Sequence, residues 1–285
     1  MASIEEILAI ERIDKDIYRG RAFDSALRRT FGGQVAGQAL VAATRTVGAD
    51  YRVHSLHGYF LRPGNSDHPV IFLVDRIRDG RSFVTRRVNG VQDGEVIFSM
   101  SASFHIDGDE GIEHQDPMPA APDPDALDPL PDDAEDPVTR TLRREWQHFD
   151  VRKVPRDQME FSDRHIAQQQ VWFRHRAPLP DDQLLHVCTL AYMSDMTLLG
   201  SSRSVHPDSM VQTASLDHAM WFLRPFRTDD WLLYDQTSPS AGSGRALTQG
   251  RIFDRAGRLV AMVTQEGLTR SGVPAEIASI VRPGR

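Results

Sequence analysis

The sequence predicts an α+β fold made of two similar units, each with one long helix and a mainly antiparallel sheet. Two observations predict this. Short motifs recur along the chain at a nearly constant offset, which indicates a duplicated structural unit. In each half, a segment with helical periodicity precedes several strand-like runs. An apolar helix that packs on antiparallel strands is an α+β arrangement.

The duplication is clearest in three pairs of motifs. A Phe-Leu-Arg-Pro motif at residues 60–63 recurs at 222–225, which is 162 positions later. The other two pairs are turns between strands: 79–82 with 240–244 at the same offset, and 92–97 with 255–260 at an offset of 163. Three matches in the same order favour duplication over chance.

In the first half, Gly32-Gly33 opens a helix that the pattern predicts over residues 33–47. Four strands are expected after it, at 54–61, 70–77, 82–91 and 95–104. Residues 70–74 are continuously apolar, which predicts a strand covered on both faces.

The second half repeats this order. A helix is predicted over residues 183–201. Strands are expected at 210–223, 231–237, 245–254 and 259–268.

A segment of different composition separates the halves. Residues 107–137 contain 12 acidic residues and seven prolines but no Lys or Arg. Such composition predicts a solvated, extended connector. The expected domains are therefore an N-terminal unit over 1–106, a linker over 107–137 and a C-terminal unit over 138–285.

Composition excludes several classes of function. A net charge of -7 argues against nucleic-acid binding. No apolar run is long enough to cross a membrane, and the N-terminus lacks a signal-peptide pattern. The single cysteine, Cys188, excludes an internal disulfide. The chain does not end in the Ser-Lys-Leu peroxisomal signal. We expect a soluble protein of a reducing compartment, the cytoplasm.

Motifs for other chemistries are missing. The sequence has no Gly-x-Ser-x-Gly, no phosphate-binding Gly-Lys-Ser/Thr, no dinucleotide fingerprint and no His-Glu-x-x-His. The histidines lack the spacing of a ligand set. We therefore expect neither a metal nor a cofactor.

The second predicted helix carries a carboxylate among apolar residues. Asp195 recurs with Cys188, Tyr192 and Leu199 at helical spacing, which places it on the face toward the sheet. An ionised carboxylate there needs hydrogen-bond donors. A structural role for a buried, paired Asp is the alternative, and the pattern alone favours it.

Comparison of the two halves favours a functional site instead. At an offset of 162, Asp195 corresponds to Gly33 and Ser215 to Val53. At 163, Gln265 corresponds to Ala102. Ser215 and Gln265 lie in largely apolar strands, where polar groups need partners. We predict that Asp195, Ser215 and Gln265 bind one another, and that only the second half keeps this polar site.

The chain resembles the type II acyl-CoA thioesterases, which are double-hotdog proteins. In the first half the likeness is clearest at residues 31–40, 53–64 and 78–83. In the second half it rests on 192–195, 214–222 and 264–267. The resemblance extends over nearly the whole chain. One departure is Leu223, where relatives commonly have His.

The resemblance implies the roles of three residues. Asp195, Ser215 and Gln265 match a catalytic network that orients a water for hydrolysis of an acyl-CoA thioester. Asp195 would be the general base and the other two would position it and the water. Direct attack by Asp195 on the carbonyl is the mechanistic alternative.

The same resemblance implies a role in fatty acid and lipid metabolism. Acyl-CoA is the expected partner, and the expected assembly is a homo-oligomer, a dimer or tetramer. Two other functions remain open: a non-catalytic acyl-CoA-binding protein, and an acyl-CoA hydratase that would use Asp217 and His218 as an acid/base pair.

Overall fold

The computed structural model describes residues 2–129, 137–162 and 164–272. Its four α-helices are α1 (Ile4–Leu8), α2 (Gly32–Thr44), α3 (Pro137–Glu145) and α4 (Gln183–Met193). Its strands are β1 (Glu11–Asp14), β2 (Ile17–Gly20), β3 (Tyr51–Phe60), β4 (Val70–Asp79), β5 (Phe83–Gln92), β6 (Glu95–Ile106), β7 (Phe149–Lys153), β8 (Ala167–His175), β9 (Val211–Ser215), β10 (Asp217–Phe222), β11 (Leu232–Gly242), β12 (Arg245–Asp254) and β13 (Leu259–Ser271). Short 3-10 segments include Leu198–Arg203.

All of these strands belong to one sheet, and its order reads the same from both edges. From one edge the order is β1-β2-β4-β5-β6-β3, and from the other it is β7-β8-β11-β12-β13-β10. The halves join where β3 pairs antiparallel with β10. Strand β9 lies off this path and pairs with β13. This order confirms the α+β double hotdog.

Strand pairing confirms the offset of the duplication. Gly58 pairs with Met100 in the first unit, and Met220 pairs with Val263 in the second. These pairs differ by 162 and 163 positions, as the motifs predicted. Ser215 and Val53 are therefore equivalent in the sheet, and so are Gln265 and Ala102.

The two long helices pack against each other in opposite directions. A Cβ at Gly33 would lie 2.3 Å from the carbonyl oxygen of Tyr192, and one at Gly37 would lie 3.2 Å from that of Cys188. Glycine thus allows close approach of the two backbones. Since the helices are antiparallel, the start of α2 lies beside the end of α4.

The helices do not follow the strand offset. They begin at Gly32 and Gln183, which are 151 positions apart. The reason is a longer connection in the second unit, where residues 194–210 join α4 to β9 while 45–50 join α2 to β3. The counterpart of Asp195 is therefore Thr44, at the end of α2, and the alignment with Gly33 was wrong.

Two predicted elements of the second unit are interrupted. The helix predicted over 183–201 ends at Met193, so Asp195 lies beyond it and not on a helical face. The strand predicted over 210–223 consists of β9 and β10, separated at Leu216. Both interruptions occur beside the site described below.

Two other expectations were also wrong. Strand β4 is not covered on both faces, since Leu73 is 38% exposed; one face of the sheet packs on the helices and the other faces outward. The described part of the linker is not simply solvated. Met118 and Leu127 pack in a cluster with Trp172, and Arg255 forms ion pairs with Asp123.

The elements that the sequence pattern missed are short or polar: α1, β1, β2, α3, β7 and β8. Of these, β8 contains three buried glutamines in succession, Gln168, Gln169 and Gln170. Within the described residues, no helix is long and apolar enough to span a membrane, and no group of three His, Cys, Asp or Glu is arranged to hold a metal ion.

Candidate active site

The site lies where α4 ends against the start of α2. Asp195 is the second residue after α4 and is half-buried. A Cβ at Gly32 would lie 2.6 Å from its Oδ2 atom. The carboxylate of the second unit therefore touches the helix start of the first unit.

Asp195 Oδ1 accepts two side-chain hydrogen bonds. Ser215 Oγ donates at 3.0 Å and Gln265 Nε2 at 2.7 Å. The structure thus brings the three predicted residues together. Because both donors converge on Oδ1, they fix the carboxylate plane and leave Oδ2 toward Gly32.

Ser215 owes its position to the interruption between β9 and β10. Ser215 pairs with Gly267 at the end of β9, and the next residue, Leu216, donates its N–H to the carbonyl of Glu266. The N–H of Glu266 donates to Asp217 Oδ1 at 2.7 Å. The Asp217 side chain therefore replaces a backbone acceptor where the strand bends.

Gln265 is fully buried within β13. Its backbone carbonyl accepts a hydrogen bond from Thr248 Oγ1 at 2.9 Å. A carboxylate is an acceptor only, so the amide NH₂ of Gln265 must face Asp195. Its Oε1 has no partner in the described part of the chain, so one buried acceptor faces away from Asp195.

The start of α2 provides backbone donors at the same place. Its N-cap residue, Phe31, makes no side-chain capping bond. The first N–H groups of a helix have no partner inside the helix, and they favour negative charge. The N–H groups at Gly32 and Gly33 are thus placed to stabilise an anion beside Asp195.

The pair Asp217 and His218 does not form an acid/base pair. Neighbouring residues of a strand point to opposite faces. Asp217 binds the N–H of Glu266, while His218 is buried and its Nε2 lies 2.8 Å from Ser194 Oγ. Burial lowers the pKa of His218 and favours the neutral ring. The arrangement expected of a hydratase is therefore missing.

Other histidines lie away from the network. His54 Nε2 is 2.8 Å from Ser103 Oγ. His57 lies on the exposed face of β3, with its ring 5.0 Å from that of Trp221. Near the helix start, the ring of Tyr192 packs edge-on against that of Phe31 at 5.0 Å. In the sequence, the position of Tyr192 in the Tyr-Met-Ser-Asp motif indicates that it lies near Asp195.

Cavity size alone does not locate this site. A cavity of about 730 Å³ lies at the other end of the helix pair, where Thr44 meets Asp182. Thr44 and Val53, the counterparts of Asp195 and Ser215, line it. A cavity of only about 30 Å³ is lined by Phe31 and Tyr192, and none of the three network residues lines it. The hydrogen bonds, and not the volume, distinguish the two ends.

Comparison with known proteins agrees with this fold. A family model described as acyl-CoA thioesterase matches residues 141–268, and one described as acyl-CoA thioesterase N-terminal domain matches residues 22–105. The fold and the paired matches define a hotdog thioester hydrolase.

Relatives identify the family. Acyl-coenzyme A thioesterase 8 of Mus musculus is 38% identical over 94% of this chain and 88% of its own length. Acyl-CoA thioesterase 2 of Haemophilus influenzae is 35% identical over 93% of this chain and 96% of its own. The crystal structure of acyl-CoA thioesterase II TesB2 from Mycobacterium marinum is 59% identical, with a TM-score of 0.85, and covers 95% of this chain and 99% of that one. This chain belongs to the type II acyl-CoA thioesterase family.

Proposed function

We propose that the protein hydrolyses acyl-CoA thioesters to a fatty acid and free CoA, with Asp195, Ser215 and Gln265 as its catalytic network. The observation that carries this proposal is the convergence of Ser215 and Gln265 on one oxygen of Asp195. The family gives the reaction class, and the network gives it a general base.

In the proposed reaction, a water attacks the thioester carbonyl carbon beside the start of α2. Asp195 accepts one proton of this water as the new C–O bond forms. The second hydrogen of the water stays on the attacking oxygen, which becomes part of the product acid. Ser215 and Gln265 hold Asp195 in line, which is a positioning effect.

The negative charge formed on the carbonyl oxygen needs donors. The backbone N–H groups of Gly32 and Gly33 supply them, because Phe31 makes no side-chain capping bond to the helix start. When the intermediate collapses, the C–S bond breaks and CoA leaves as its thiolate. The proton held by Asp195 then neutralises the thiolate, which restores the carboxylate.

The proposal takes Asp195 as a general base, and direct attack by Asp195 on the carbonyl is the alternative. The two donors on Oδ1 orient the carboxylate in both routes. Single turnover in ¹⁸O-water separates the two routes. A general base places the label only in the fatty acid, whereas label in Asp195 would reveal an anhydride that water opens at the Asp195 carbonyl.

The proposed division of the chain is a first unit over residues 1–106, a linker over 107–137 and a second unit over 138–285. The first unit supplies the helix start and the second supplies the carboxylate. We also propose that the enzyme is cytoplasmic and homo-oligomeric and acts in fatty acid and lipid metabolism. The support is a free, buried Cys188 and exposed side chains, such as Tyr59 and Trp221, on the outer face of the sheet. Light scattering after size exclusion measures the assembly.

The main test is release of CoA from short, medium and long acyl-CoAs by the wild type and by Asp195→Asn. Loss of a general base predicts a fall in kcat of about 10²- to 10⁴-fold. A non-hydrolysable acyl-CoA analogue should still bind the variant. Binding by the wild type without CoA release would instead support the acyl-CoA-binding protein, and unchanged turnover by Asp195→Asn would exclude Asp195 as the base.

A further inference from the structure

Asp195 lies in a connection to which side chains of two strands, β8 and β11, are hydrogen-bonded. Residues 194–197 follow α4 and precede the 3-10 segment Leu198–Arg203. Backbone hydrogen bonds hold part of this connection: the N–H of Ser194 donates to the carbonyl of Leu190 at 2.8 Å, and that of Met196 to the carbonyl of Met193 at 3.1 Å. Side chains of β11 and β8 hydrogen-bond to the residues on either side of Asp195.

Tyr234 of β11 holds the residue before Asp195. Its hydroxyl donates to the carbonyl oxygen of Ser194 at 3.1 Å. This carbonyl lies at the end of α4, where the carbonyl groups have no N–H partner inside the helix. Tyr234 is fully buried, and burial raises the pKa of its hydroxyl, which therefore keeps the proton that it donates.

Gln236 of β11 holds the residue two positions after Asp195. Its Nε2 donates to Thr197 Oγ1 at 2.6 Å. Its Oε1 accepts from Gln169 Nε2 at 2.5 Å, and Gln169 also donates to the carbonyl of Thr197 at 2.9 Å. Both glutamines are buried, so these bonds are shielded from water.

The two partners on β11 share one face of that strand. Tyr234 and Gln236 are two residues apart, so their side chains project from the same side of the sheet. They reach Ser194 and Thr197, with Asp195 between these two contacts. Two side chains of one strand thereby hold the connection at two points, one before Asp195 and one after it.

The first unit lacks this arrangement. Val74 pairs with Val88 there, as Gln236 pairs with Gly250 in the second unit. The counterparts of Tyr234 and Gln236 are therefore Phe72 and Val74, which are apolar.

Gly250 itself makes room for the tyrosine. A Cβ at Gly250 would lie 2.2 Å from Tyr234 Cε2. Its counterpart in the first unit, Val88, has a branched side chain at the same place. The second unit thus combines a polar residue that reaches Ser194 with the space that this residue requires.

We propose that Tyr234 and Gln236 are positioning residues that fix Asp195 in its catalytic orientation by holding Ser194 and Thr197. This inference rests on the proposed function. The two side chains are buried and hydrogen-bond to this connection. They act through the backbone direction of the 194–197 connection, and thus through the place where the Asp195 carboxylate meets Gly32.

The test is the kinetics of Tyr234→Phe, which removes one hydroxyl and keeps the ring. We expect kcat to fall roughly tenfold with KM almost unchanged, because misplacement by a fraction of an ångström weakens catalysis more than binding. Gln236→Met, of similar volume but unable to donate, should behave alike. Tyr51→Phe is the matched control: it removes a hydroxyl that donates to the carbonyl of Arg81 in the first unit, and kcat should not change.

The Asp195→Asn background distinguishes positioning from general stability. If Tyr234 acts through Asp195, adding Tyr234→Phe to Asp195→Asn should leave the residual kcat unchanged. An equal fall in both backgrounds, or a wild-type kcat for both folded single variants, would overturn the inference. Wild-type turnover by Asp195→Asn would refute the proposed function itself, and circular dichroism checks that each variant folds.

Discussion

The two units share a strand order but differ in the polarity of the side chains that face their helices. In the second unit, these positions carry hydroxyl, imidazole and amide groups; in the first unit, the equivalent positions are apolar. The equivalent pairs are Ser215 and Val53, His218 and Leu56, Tyr234 and Phe72, Gln236 and Val74, and Gln265 and Ala102. One backbone therefore supports either an apolar core or a hydrogen-bonded network around a carboxylate.

The starts of the two long helices also differ between the units. At the start of α4, Asp182 accepts a hydrogen bond from the N–H of Leu184 at 2.9 Å, so a carboxylate of the chain itself caps the helix. At the start of α2, Phe31 provides no such cap. The open helix start thus belongs to the first unit and the carboxylate to the second.

This difference indicates that both units contribute to the candidate site. Antiparallel packing brings the uncapped start of α2 to Asp195, and it brings the capped start of α4 to Thr44. The second place keeps a cavity of about 730 Å³ but has no equivalent of the Asp195 network. In the proposed function, the fused pair therefore has one site at this network, and both units contribute to it.

The largest effect is expected from giving the second unit the side chains of the first. In Ser215→Val/Gln265→Ala, Asp195 loses both donors, and kcat should fall by about 10²- to 10³-fold, as for loss of a preorganised donor. CoA release by the purified variant measures it. Val53→Ser, the reverse change in the first unit, is the control and should keep wild-type kcat. A double variant with wild-type kcat would refute the network.

The duplication made much of this predictable. Ser215 and Gln265 stood out because polar residues occupied apolar strands, and their apolar counterparts followed from an offset that strand pairing confirms. Period-two and turn signals depend on nearby residues, so they located the strands from β3 to β6 and from β11 to β13 closely. The pattern of the strands thus predicts Ser215 and Gln265, whereas Asp195 does not lie on the helical face that the pattern predicted for it.

The end of α4 was not predictable in the same way. Helical spacing of apolar residues continues through Leu198 and Leu199, so periodicity extends the helix past Met193. What ends it is tertiary: a hydroxyl from Tyr234 satisfies the carbonyl of Ser194. Strand β8 was missed for a related reason, since its glutamines find partners only in the folded protein.

A smaller effect is expected from changing the helix start. In Gly32→Ala, the new Cβ would lie 2.6 Å from Asp195 Oδ2 and 3.0 Å from Phe60 Cζ. The carboxylate can move aside, so the fold should persist, but its displacement should lower kcat by roughly 10- to 100-fold. Steady-state kinetics and the melting temperature measure the two effects separately.

The matched change in the second unit is Gln183→Ala, at the first residue of α4. No carboxylate of a catalytic network lies beside it, and kcat should stay at the wild-type value. Equal losses in both variants would show that disturbance of either helix start is enough, and the asymmetry between the units would then have no catalytic meaning.

The smallest effect concerns the pH dependence of stability. Burial lowers the pKa of His218, against the opposing charges of Asp195 and Asp217. As pH falls below the unfolded value of about 6.5, the unfolded chain takes up a proton that the folded ring resists. The unfolding free energy should therefore decrease from pH 7 to pH 5, and His218→Gln should make this slope shallower.

Urea unfolding at several pH values measures the slope independently of any overall loss of stability in the variant. His206→Gln, at an exposed position, should leave it unchanged. Burial also lowers the pKa of His54 and His186, so part of the slope should remain in His218→Gln. A slope equal to that of the wild type would mean that the folded protein does not hold His218 neutral. In the first unit Leu56 occupies the position of His218, so the proton linkage at this position is a property of the second unit alone.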